Sequence, residues 1–237
     1  MIIDKDSPLR RFPANSENKQ TLFFDGIRYS IEMAALAHTR LQQSLYSLTL
    51  SCTNSSSDLP IDFTSAMLDA WSIVDSVHRL RILINKTPGM KKQAPGFQIF
   101  DRGTTPIKDL RNFVQHLDQE TQDLVGQNIP VWGTLSWFTI LDPERKSGFT
   151  CTIVAGTVFQ SMDGLLVNPL GKETNVPVDL ITLTANNSTI CLSDVMRHVE
   201  RLTRSMESGL REQLKDLPPA QGDVIACAEI EFGDEIS

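Results

Sequence analysis

The chain has 237 residues, 41% hydrophobic and 22% charged, with a net charge of −7. That length suffices for one large domain or two small ones with a sizeable core. The acidic balance argues against a surface that grips nucleic acid indiscriminately, because phosphate contacts come from a basic field.

Residues 1–21 are polar and proline-bearing and read as an N-terminal arm, without the apolar stretch of a secretory leader. A long helix follows. Ile27, Ile31, Ala34, His38, Leu41, Leu45 and Leu48 repeat at alternating four- and three-residue steps, a bundle seam. The Ser/Asn-rich stretch from Ser51 to Asp58 is expected to end it. Asp62 suits the N-cap of a second helix, whose seam is Phe63, Ala66, Ala70, Ile73, Val77, Leu80 and Ile84, and which Lys86-Thr87-Pro88-Gly89 stops. On it Asp75, His78 and Arg79 stand at three- and four-residue spacing, either as an ion-paired face or as part of a cleft shared with the next helix.

From Met90 to Thr104 the chain is basic, then punctuated by glycine and proline, and reads as a loop. Thr105 is expected to cap, and Pro106 to open, a third helix running to Leu124 with Gly126 as its stop. Ile107, Leu110, Val114, Leu117 and Leu124 form its buried stripe, and Asp109, Asn112, His116 and Glu120 lie on other faces.

The character changes near Ile129. Val131 to Leu141 and Phe149 to Phe159 are rich in β-branched and aromatic residues and read as two strands joined by the turn Asp142-Pro143-Glu144. Val178 to Thr184 and Thr189 to Leu192 give a third and fourth, with Ala185-Asn186-Asn187-Ser188 as a turn. The simplest arrangement is a small antiparallel sheet. Ser193 or Asp194 then caps a last long helix with the stripe Val195, Val199, Leu202, Met206, Leu210 and Leu214, ended by Pro218-Pro219. Asp223 to Phe232 could form a final strand.

No apolar run reaches membrane-spanning length. Cys52, Cys151, Cys191 and Cys227 are scattered without a C-x-x-C pair, which points to free thiols in a reducing compartment, the cytoplasm, rather than to a disulfide framework or a zinc site. There is no G-x-S-x-G, no H-E-x-x-H, and Gly171-Lys172 lacks the glycines of a phosphate-binding loop.

One constellation remains: Arg111-Asn112-Phe113-Val114-Gln115-His116 on the third helix. At about 100° per residue, Asn112 and His116 stand within ~40° of each other, whereas Arg111 is about 140° from His116. This stretch resembles the motif of the HEPN superfamily, an arginine, a polar residue, three more residues and a histidine on a helix of an all-α bundle. The resemblance covers about residues 22–126. Taken with the strands and last helix read from the residue pattern, it gives an expected α+β chain: a HEPN-like bundle (22–128), an inserted antiparallel β segment (129–192), a long helix (193–217) and a tail (218–237). That β segment departs from the minimal family pattern.

The function implied is a metal-independent endoribonuclease of toxin or defence type, with no cofactor. The 2′-OH of RNA is the nucleophile, His116 moves protons, Arg111 stabilises the phosphorane, and Asn112 holds the imidazole or the phosphate. Asp75, His78 and Glu120 are supporting candidates. A homodimer through the motif helix would let each Arg111 face the other chain's His116. The alternative is a catalytically inactive HEPN-like interaction or ligand-binding protein, with the β segment offering a surface to a protein partner. An Arg111 held by a carboxylate of its own chain would favour that alternative.

Overall fold

The seams of the two long helices decide the architecture. In the computed structural model, helix α1 spans Asn18–Thr53 and α2 spans Phe63–Lys86, and the two pack along their length. Seam residues Ile27, Ile31, Ala34, Leu41, Ala70, Ile73, Val77, Leu80 and Ile84 are fully or almost fully buried. The structure describes residues 2–13, 16–53, 63–117, 130–142, 144, 147–156, 166–172, 174, 176–186, 188–220 and 222–229.

Three further helices, α3 (Pro95–Gly103), α4 (Pro106–Gln115) and α5 (Leu192–Gln213), accompany strands β1 (Thr134–Asp142), β2 (Ser147–Val154), β3 (Val178–Ala185) and β4 (Ser188–Cys191). The four strands form one antiparallel sheet in the order β2-β1-β3-β4, so the described residues make an α+β fold. Helix α5 packs on α3, on β3 and on α1, and α4 packs on α2 and β4. One apolar core runs from Ile3 to Leu210 through both helices and sheet. No helix among the described residues is long and apolar enough to cross a membrane.

A buried hydroxyl fastens the sheet to α1. Thr49 is fully buried, and its Oγ1 donates to the Leu45 carbonyl (2.9 Å). The same oxygen accepts from Trp137 Nε1 (3.0 Å) and lies 3.0 Å from the hydroxyl of Thr139, also fully buried. One proton and two lone pairs are thereby all used, the full capacity of a threonine hydroxyl.

Trp137 also marks a β-bulge. Ser136 pairs with Thr182 but Phe138 pairs with Asp179, so Leu180 and Ile181 together oppose one residue of β1. Leu180 takes the strained left-handed conformation, φ +53°.

Several expectations need correction. Residues 95–103, expected as loop, are helix α3. Its glycines allow close contact with α5: a Cβ on Gly103 would sit 2.3 Å from the His198 ring, and one on Gly96 3.2 Å from Ser205 Oγ. Thr105 does not cap α4. Its backbone is already helical and its hydroxyl bonds back to the Asp101 carbonyl, so α3 and α4 are almost continuous, interrupted where Pro106 lacks an N–H. Helix α4 stops at Gln115, before the expected Leu124; residues 118–129, with Glu120 and Gly126, lie outside the described residues, as does Asp62. Helix α5 starts at Leu192 without a side-chain cap, because Ser193 Oγ instead accepts the Ile181 N–H (3.1 Å).

The arm is no mere extension. Ile3, Leu9 and Phe12 are buried, Phe12 stacks on Phe24, and Asp4 donates its N–H to Glu207 on α5. Residues 222–229 of the tail form no strand; Asp223 instead takes hydrogen bonds from the 3%-exposed Arg28 and from Tyr29.

Two substitutions test this packing. Thr49→Val keeps the shape but strips Trp137 and Thr139 of their partner, and a urea titration should show a loss of about 1–3 kcal/mol with an unchanged slope. Gly103→Ala should cost a similar amount, roughly 1–3 kcal/mol, because the His198 ring or all of α3 must move.

Candidate functional site

The motif residues divide between two surroundings. Arg111 points from α4 toward α2, where its Nε donates to Asp75 Oδ1 at 3.0 Å. Arg79 Nε donates to the other oxygen of the same carboxylate at 2.8 Å. A single Asp75 therefore serves two guanidinium groups, leaving a local surplus of positive charge. Arg111 Nη1 is buried without a hydrogen-bond partner. His78 joins this group. Burial, and then the nearby Arg111 charge, hold its pKa below the ordinary value, and its Nδ1 is buried without a partner. Arg81, one turn on, is occupied by Asp101 and Thr104.

Asn112 and His116 are exposed instead. His116 is the C-cap of α4 (φ −111°, ψ 27°), its N–H bonding to the carbonyls of Asn112 and Phe113. No side-chain hydrogen bond links His116 to Arg111 or Asn112 among the described residues. The structure thus brings Arg111, Asp75 and His78 together, leaves Asn112 and His116 on the outside of the same helix, and does not describe Glu120.

Beside Arg111 is a cleft of about 320 Å³ between α2, α4 and the approach to β1, walled by Trp71, Val74, Val114 and Trp132 and edged by Asp75 and Gln115. Trp71 and Trp132 meet edge to face, centroids 6.3 Å apart, and Trp71 Nε1 donates to the Trp132 carbonyl at 3.3 Å. Trp132 is 49% exposed. The β half therefore supplies one wall of the motif cleft.

A second, larger cavity of about 970 Å³ lies between α1, α5 and the start of β3. Its floor holds His38, Asp179 and Ser193. Sequence periodicity places His38 in the apolar seam of α1 and Asp179 in a strand; the only signals were one imidazole among aliphatic seam positions and one carboxylate inside V-D-L-I. Burial lowers the His38 pKa from 6.5 to about 4, with Arg197 adding to that and Asp179 opposing it. Its Nε2 is buried without a partner. Among the described residues no three of His, Cys, Asp and Glu gather closely enough to hold a metal ion, and all four cysteines are free.

The His38 shift has a pH consequence. Between its ordinary 6.5 and about 4 the unfolded chain binds a proton there and the folded chain does not. Stability contributed by the neutral imidazole is complete above the unfolded value and is lost as pH falls toward 4, amounting to about 3 kcal/mol. In denaturation series from pH 7 to pH 4, His38→Gln should flatten this part of the profile.

No family model, no curated protein and no solved structure matches the chain.

Proposed function

We propose that the chain is a ligand-binding protein on a HEPN-like helical scaffold, and that its α2–α4 cleft takes a nucleotide or a short single-stranded RNA segment without cutting it. The observation that carries this reading is the hold of Asp75 on Arg111 within one chain. A guanidinium already facing a carboxylate has much of its charge answered before any phosphorane forms, which weakens the electrostatic part of catalysis. What survives suits binding. Two indole faces provide a stacking surface, and two arginines sharing one carboxylate retain donors for a phosphate. This positive spot stands out on a chain of net charge −7.

A second reading, the metal-independent endoribonuclease, is favoured by the exposure of Asn112 and His116 at the end of α4. In a two-fold dimer through this helix, the partner's guanidinium could meet that imidazole, which is 140° away from its own by helix geometry at about 100° per residue. Cleavage would then leave 2′,3′-cyclic phosphate and 5′-hydroxyl ends.

One experiment separates the two. A labelled single-stranded oligoribonucleotide is incubated in EDTA with the full chain and with His116→Ala, Arg111→Gln and Trp132→Ala. Binding without cutting predicts intact RNA throughout, affinity about tenfold weaker for Arg111→Gln and Trp132→Ala, and no change for His116→Ala. Cleavage by the wild type that His116→Ala abolishes selects the endoribonuclease. RNA neither bound nor cut removes both.

A further inference from the structure

The larger cavity shares no lining residue with the motif cleft, and its chemistry is different. Almost every formal charge around it is already answered. Glu32 pairs with Arg10, and Glu200 pairs with Arg204. Asp179, 1% exposed, accepts the Leu180 N–H at 2.7 Å and is paired with Arg197, which also holds Asp194. Leu180, the donor of that N–H, is the left-handed residue of the β-bulge opposite Trp137. The remaining charge is that of Arg201, exposed on α5 at the cavity edge and without an ion pair among the described residues.

The uncharged polar groups are only partly used. Gln42 gives its amide N–H to the Val178 carbonyl and keeps its oxygen. Ser193 accepts the Ile181 N–H and keeps its own proton to donate. Between these groups and Arg201 the walls are apolar, from Ile2, Leu36, Val176 and Met196, with Leu36 61% exposed. A space of this size is at the upper end of what small-molecule sites occupy, roughly 300–1,000 Å³.

From this combination we infer that the α1–α5 cavity binds an amphiphilic monocarboxylate, its apolar body against Leu36 and Met196 and its carboxylate on Arg201. A dianion would find a single free positive charge, and a cation would find no free carboxylate. A fully apolar molecule would gain nothing from Arg201 and would offer the buried Ser193 hydroxyl no acceptor.

The test uses the full chain, calorimetric titration, and decanoate and decanol as probes below the range in which they aggregate. Decanoate should bind saturably at one site. Arg201→Gln should weaken it about tenfold, and decanol should bind the wild type about as weakly as decanoate binds that variant. Leu36→Asp, at an exposed position, should abolish binding of both probes by placing a carboxylate against the apolar body. Arg111→Gln, at the motif cleft, should leave decanoate binding unchanged, which keeps this inference separate from the RNA reading. No saturable binding of decanoate overturns the inference, as does binding that survives both Arg201→Gln and Leu36→Asp.

Discussion

Thr49 sits where the helical and sheet halves of the chain meet, and what it does there constrains everything beyond it. Its hydroxyl bonds back to the Leu45 carbonyl one turn earlier in α1 and at the same time receives Trp137 and contacts Thr139 from β1. In an interior from which water is excluded, such a knot is favourable only while every member is satisfied. It sets where along α1 the sheet can dock. With β1 fixed, β3 and β4 follow by pairing, and α5, which begins directly after β4, is laid against α1 and α3. Both cavities are products of that docking. One forms where α5 and β3 meet α1, and the other forms where the approach to β1 brings Trp132 against Trp71.

The parts of this arrangement that repeat along the chain were legible in the sequence. The seams of α1, α2 and α5 and the β-branched and aromatic runs of the strands are local patterns, and the structure places those elements within a few residues of expectation. Helix α3 was hidden because its markers point the other way. Pro95-Gly96 has turn composition, Phe100 is its only buried residue, and its glycines serve contact with α5 rather than flexibility. The end of α4 was misplaced because the apolar stripe gives no sign of the break in helical geometry at His116, its C-cap (φ −111°, ψ 27°).

Long-range pairings lay beyond any local pattern. Nothing in the spacing of residues 75 and 111 announces that one carboxylate will hold that arginine, since the contact depends on how α4 settles on α2. His38 illustrates the reverse case. It obeys the seam rule, and only the presence of Asp179 and α5 makes it part of a cavity wall. Of the six candidate residues, three meet, two stand exposed on the neighbouring face, and Glu120 lies outside the described residues. A six-residue motif specifies residue types along a helix, but the partners of each side chain come from elements it does not contain.

Terminal segments are ordinarily the most expendable part of a domain. Here the chain beyond α5 returns to lay Asp223 on Arg28, a guanidinium that is 3% exposed and stacked over the Tyr29 ring. Trimming the protein anywhere before that aspartate would take the carboxylate partner from Arg28, whose Nε already lacks a hydrogen bond. A shortened version designed for convenience would therefore lose a counterion in the first third of α1, and its behaviour would report that loss rather than the properties of the parent.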